Sequence, residues 1–115
     1  MNRNEYNGWT NYETWLVNLW MDNEQGSHEY WREVAEDEYE HAEGTAYSTK
    51  EEQARYRLAK FLQGSYDVEL ALNPNESSVY HDLLGAALSS VNWDEIARHW
   101  IDAVIEDLEA AFSQR

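Results

Sequence analysis

Carboxylates at helical spacing have the most chemistry to offer in this chain. Glu29, Glu33, Glu36, Glu40 and Glu43 recur at intervals of three and four, with Asp37 and Glu38 between them. Near the C-terminus Glu95, Asp102, Glu106 and Glu109, with Asp107 alongside, repeat the pattern. Helical residues three and four apart are neighbours, about 5–6 Å from one another, which is close to the spacing of successive phosphates along a DNA strand. Two such rows predict an imitation of duplex phosphates that occupies a basic DNA channel. The binding residues would be Glu33, Glu36, Asp37, Glu40, Asp102, Glu106 and Glu109. The plainer alternative is two solvated faces whose charge serves only solubility.

Other chemistry is sparse. Glu38-Tyr39-Glu40-His41 carries one Glu-x-x-His, the spacing of di-iron carboxylate bundles. A metal site of that kind needs a second copy, and His28, His81 and His99 have no Glu three residues before them. The chain has no cysteine, no Gly-rich phosphate loop and no serine in a nucleophile elbow. Asp94/Glu95 and Glu76/Asp82 read as capping and surface acids. The expectation is a protein that is not an enzyme and uses no metal or cofactor.

A second candidate site lies near the N-terminus. Three of the six tryptophans fall between Asn7 and Trp20, although Trp, Tyr and Asn have little intrinsic helix preference. Trp9 and Tyr12, with Asn11 and Asn18 supplying hydrogen bonds, would form an aromatic platform for a partner. The competing reading is a core helix whose indole N–H groups find internal acceptors. Trp15 and Trp20 fall on an apolar stripe and are expected inside. Trp9 precedes the helix and is expected to be the exposed member.

The charge balance sets the class of partner. With 23 acids against 8 bases the formal net charge is −15. Such a field repels nucleic acid and anionic membranes and attracts basic proteins, although adaptation to high salt would leave the same signature. Aromatic residues make up 14% of the chain, which argues for a folded core in spite of a mean hydropathy of −0.82. A length of 115 residues fits one domain, 1–115. No apolar run approaches the roughly 20 residues of a membrane span. Met1-Asn2-Arg3-Asn4-Glu5 is polar, unlike a secretory leader. A cytoplasmic setting follows as the expectation.

The elements that must position these groups read as helices throughout. Thr10-Asn11-Tyr12-Glu13 fits a capping box ahead of a helix at about 11–22, with Tyr12, Trp15, Leu16, Leu19 and Trp20 as its apolar stripe. Gly26 is placed to end it with positive φ. Ser27 caps a helix at about 28–43, buried through Trp31, Val34, Ala35, Tyr39 and Ala42. Thr49-Lys50-Glu51-Glu52 is a second capping box, opening a helix at about 50–63 lined by Ala54, Leu58, Phe61 and Leu62. Four of the eight basic residues, Lys50, Arg55, Arg57 and Lys60, lie on that helix, which predicts that it pairs with the acidic helix before it. Residues 65–73 alternate with period 2 but have no strand to pair with, and are read as a short helix or extended connector. A helix at about 77–89 turns Val79, Leu83, Leu84, Ala87 and Leu88 inward. Val91-Asn92-Trp93-Asp94-Glu95-Ile96 combines an N-cap, an N3 glutamate and a hydrophobic staple. The helix it opens, about 93–112, buries a stripe from Ile96 to Phe112 and is expected to be central. The fold class is all-α, a bundle of four to six short helices.

Gly8-Trp9-Thr10-Asn11-Tyr12-Glu13-Thr14-Trp15-Leu16-Val17-Asn18-Leu19-Trp20, Asp22-Asn23, Tyr30-Trp31, Leu83-Leu84-Gly85-Ala86-Ala87-Leu88 and Val91-Asn92-Trp93-Asp94-Glu95-Ile96-Ala97 resemble a family of small proteins. These are encoded by phages, plasmids and prokaryotic genomes. The resemblance implies a mobile-element setting and supplies no fold or active site. In size and charge, not in sequence, the chain also resembles phage DNA-mimic antirestriction proteins. A basic host protein that handles DNA, such as a restriction or CRISPR effector, is the partner expected. The other reading is a small protein-interaction module that binds through the aromatic N-terminus.

Overall fold

The computed structural model describes residues 5–23, 25–71 and 78–113. The helices are α1 (Tyr12–Asn23), α2 (Gln25–His41), α3 (Lys50–Ser65), α4 (Val68–Ala71), α5 (Val79–Ser89) and α6 (Trp93–Ser113). Among the described residues there is no strand, only an isolated bridge between Tyr6 and Trp9. The fold is therefore all-α. Helices α2, α3 and α6 pack on one another as the centre of the bundle, α1 lies against α2 and α6, and α4 lies beside α5.

The core follows the helical period of these segments. Trp31 and Ala35 from α2, with Ala42 just past its end, meet Ala54, Leu58, Ala59 and Leu62 from α3. Ile96, Ala97, Trp100, Ile101 and Val104 from α6 complete the cluster. The staple at the start of α6 is in place, with Val91 and Ile96 both buried. The Thr49–Glu52 capping box has both arms: Glu52 N–H donates to Thr49 Oγ1 at 3.1 Å, and Thr49 N–H donates to Glu52 Oε1 at 3.3 Å. The 65–73 segment holds the short helix α4, with residues 72 and 73 outside the described part.

Several expectations are revised. Gly26 does not end α1 with positive φ; it sits in the first turn of α2, and Gly8 is the positive-φ glycine among the described residues. In α1 the buried positions are Thr14, Asn18 and Met21, whereas Tyr12 is 47% and Trp20 60% exposed. The helix is rotated away from its aromatic stripe because a polar seam, described below, fixes its azimuth. On α3 Ala59 is buried, whereas Phe61, expected in the core, is 40% exposed and meets the Trp31 ring edge-on at 6.0 Å. On α6 full burial stops at Val104: Leu108 and Phe112, expected inside, are 46% and 73% exposed. Helix α5 buries no residue at all, although Val79, Leu83, Leu84, Ala87 and Leu88 were expected inside.

Candidate functional site

Two arrangements of side chains bear on function. The first is built on the N-terminal segment. Asn7 and Gly8 have φ of 46° and 87°. An Asn-Gly pair takes those values most readily, because both central residues of this tight turn need positive φ. The turn closes through paired backbone bonds of 2.8 Å between Tyr6 and Trp9 and lays Trp9 against the core, 5.2 Å from the His99 ring. Trp9 is thus half-buried rather than the exposed tryptophan.

From Thr10 onward the backbone is held by polar groups of the α6 cap. Thr10 N–H donates to Glu95 Oε1 at 3.0 Å, and Asn92 N–H donates to Thr14 Oγ1 at 2.9 Å. Asn11, not Thr10, caps α1: Thr14 N–H donates to Asn11 Oδ1 at 2.9 Å, and the Thr14 hydroxyl donates to the same oxygen at 2.6 Å. Asn11 Nδ2 donates to the Ser90 carbonyl at 2.7 Å. One turn on, the buried Asn18 accepts the Trp100 indole N–H at 2.8 Å. Of the four residues proposed for an aromatic platform, Asn11 and Asn18 are therefore built into this seam, and Trp9 packs against the core beside it. Tyr12 remains exposed, in an aromatic cluster with Tyr6 and Trp15.

The second arrangement is acidic. Glu33, Glu36, Asp37 and Glu40 are all exposed on α2, as are Glu106 and Glu109 on α6. Charge neutralisation is local. Arg32 Nε reaches Glu36 at 2.9 Å, and its Nη2 reaches Asp107 at 2.6 Å, tying α2 to α6. Arg55 Nη2 holds Asp102 at 2.7 Å, with Arg98 3.8 Å away, and Arg57 holds Glu38 at 2.8 Å. The expected pairing of α3 with acidic α2 is thus made by Arg57, while Arg55 turns to α6. Asp102 belongs to an ion-pair cluster rather than to an open acidic row. Glu33, Asp37, Glu40, Glu106 and Glu109 have no cation within ion-pair distance among the described residues.

The Glu38/His41 spacing does not assemble a metal site. Glu38 faces α3, and His41 Nδ1 donates to the Asp37 carbonyl at 2.8 Å. Among the described residues no three His, Asp or Glu side chains converge on one point. No described helix is long and apolar enough to cross a membrane.

The structure brings members of the two proposed sites together. Trp9 and Asp102 line a common cavity of about 440 Å³ with Gly8, Glu95, Arg98 and His99. Its two carboxylates are engaged by Thr10 N–H and by Arg55, so it presents little unpaired charge. Sequence reading also missed an aromatic column. The Tyr66 ring stacks on Trp31 at 5.9 Å and on Trp93 at 5.7 Å, joining α2, the end of α3 and the start of α6. Burial pushes the Tyr66 hydroxyl above its ordinary pKa; a hydrogen bond with Trp31 opposes that shift and Tyr30 adds to it. No sequence signal marked Tyr66, because its apparent period-2 setting pointed to a connector.

The model of a family of unknown function, DUF7249, matches residues 2–111. The chain belongs to this family. Neither the curated proteins nor the solved structures contain a match to it.

Proposed function

We propose that this DUF7249 member is a non-enzymatic acidic binding protein that engages a basic surface of a protein partner. The observation that carries the reading is the outer face of α2. There Glu33, Asp37 and Glu40 stand exposed and unneutralised among the described residues, at the roughly 5–6 Å repeat of helical neighbours. Glu106 and Glu109 extend the acidic surface on α6. A DNA-binding channel offers the complementary lysines and arginines, so the favoured partner is a host protein that handles DNA, such as a restriction or CRISPR effector. The mobile-element origin implied by the resemblance supports that choice. The chain then acts as a mimic of duplex phosphates, with no direct contact to nucleic acid.

The test is capture from host lysate by the purified chain at low and high salt, read by mass spectrometry, with duplex DNA as competitor. Capture of a DNA-binding enzyme that high salt and DNA both abolish supports mimicry. Converting Glu33, Asp37, Glu40 and Glu106 together to lysine should abolish that capture. Unchanged capture by this variant would sink the proposal. A second reading is favoured by the exposed rings of Tyr12 and Trp20: an interaction module on the outer side of α1. It requires salt-resistant capture that Tyr12→Ala and Trp20→Ala abolish without loss of fold.

A further inference from the structure

Among the described helices longer than one turn, α5 alone has no buried residue. Yet its sequence is the least polar of them: from Ser78 to Trp93 the one charged side chain is Asp82. Val79, Tyr80 and Leu83 are 63%, 73% and 62% exposed. At 3.6 residues per turn they share one arc with Ala86 and Ala87. The other side of the helix, through Gly85 and Leu88, turns toward Tyr66, Val68 and Trp93. Half of an apolar helix is therefore seated and half is open.

An isolated helix of this length is marginal in water and depends on packing for its stability. The open arc is also an exposed contiguous apolar patch of the kind that marks an interaction surface. Charge selects what covers it. A basic partner finds little to hold here, since the acids it would seek lie on α2 and α6. Two copies of this chain, each carrying −15, repel over most of their surfaces, and this nearly uncharged arc is where that repulsion is least. Asp82 lies beside the arc rather than within it, so two arcs can meet without opposing carboxylates at their centre.

We propose that the α5 faces of two copies pack together about a two-fold axis, residue for residue, as isologous interfaces do. Val79, Tyr80 and Leu83 expose on the order of 400 Å² together, about half of the ~800 Å² per partner of a stable interface. The dimer is accordingly weak and concentration-dependent. Its salt response is opposite in sign to that of acidic-face binding: salt screens the mutual repulsion of the two copies and strengthens the apolar contact.

Sedimentation equilibrium of the purified full chain, across a wide concentration range at low and high salt, tests this without any partner. The expected mass rises from 13.6 kDa toward twice that value with concentration, and rises further in high salt. Leu83→Glu should keep the mass at that of the monomer with helical content unchanged. Should Leu83→Glu lose its fold, Tyr80→Ser, at a still more exposed position, must weaken association at least tenfold. A wild-type chain that stays monomeric at every concentration overturns the proposal. So does association that weakens with salt, or that Tyr80→Ser leaves untouched. Capture of a basic partner is read in a separate experiment, so either idea can fail alone.

Discussion

The N-terminal segment with α1 and the acidic face of α2 lie side by side in the chain and follow opposite logic. On α2, residues with no place in a core point outward, and their spacing alone describes the surface they make. On α1, the residues that look most like core, Tyr12 and Trp20, are exposed, while Thr14 and Asn18 are buried. The difference lies in where the partners come from. Solvent partners Glu33, Asp37 and Glu40 on α2, so position on the helix is sufficient for them. The buried polar atoms of α1 need partners from residues about eighty positions away: Asn92 for Thr14 and Trp100 for Asn18. An unsatisfied buried polar group costs about 1–3 kcal/mol. That is enough to decide which face of a short helix turns inward, against an aromatic stripe that stays partly covered either way.

This comparison is broken most directly by exchanging an inside polar residue and an outside aromatic one. Asn18→Leu keeps the branched outline of the side chain but leaves the Trp100 indole N–H without its acceptor. It should destabilise the fold by about 2 kcal/mol. Trp20→Ala removes the largest side chain type there is, yet from a position 60% exposed, and should cost under about 1 kcal/mol. Urea unfolding followed by tryptophan fluorescence and circular dichroism measures both. Should Trp20→Ala prove the more damaging, α1 would be seated on its aromatic stripe after all, and the polar seam would be incidental.

Tyr66 sharpens the same contrast through pH, since it too is a polar tip among apolar neighbours. Its hydroxyl is raised above the ordinary value of 10.0 chiefly by burial between Trp31 and Trp93. The unfolded chain therefore loses this proton at lower pH than the native one. The stability that the neutral hydroxyl supports is complete below about pH 10 and is lost as pH rises through the native-state value. Tyr66→Phe cannot ionise, so its fall in melting temperature between about pH 8 and pH 11 should be smaller than that of wild type. An equal fall in both proteins would mean that Tyr66 is as hydrated as a surface tyrosine.

What was legible in the sequence divides along the same line. The bounds of α3 and α6, the Thr49–Glu52 box and the Asn92 cap all depend on residues within a few positions of one another, and all were readable; the start of α2 was not, since that helix begins at Gln25 and takes in Ser27, the residue expected to cap it. The exposure of Glu33, Asp37, Glu40 and Glu106 was readable because a charged side chain without a partner stays in water. The seating of α1 was not, because the cap oxygen of Asn11 and the hydroxyl of Thr14 take their value from a loop at the other end of the chain. Nor was the open side of α5: Val79 and Leu83 have the right period for a core, and period alone does not say whether a second element arrives to cover it. The engagement of Asp102 by Arg55 escaped notice for a related reason. The spacing of carboxylates along one helix carries no information about an arginine supplied by another.

The smallest expected effect concerns the cost of the acidic face itself. Glu33 and Asp37, and Glu36 and Glu40, are like charges four residues apart on α2, and such pairs destabilise a helix by about 0.2–0.5 kcal/mol each. Arg32 relieves Glu36 and Arg57 relieves Glu38, which leaves the outermost acids uncompensated. Replacing Glu33, Asp37 and Glu40 together with Gln, Asn and Gln should therefore stabilise the protein, by about 0.5–1 kcal/mol at low ionic strength. The gain should shrink toward zero as salt screens the repulsion of the wild-type face. Thermal melts of the two proteins across a salt series read this directly. A gain in stability accompanied by loss of partner capture would mean that the face is kept against the interest of the fold, as binding surfaces commonly are. No gain at low salt would mean that these carboxylates are already relieved, and a relieved row of acids is a poor imitation of phosphates.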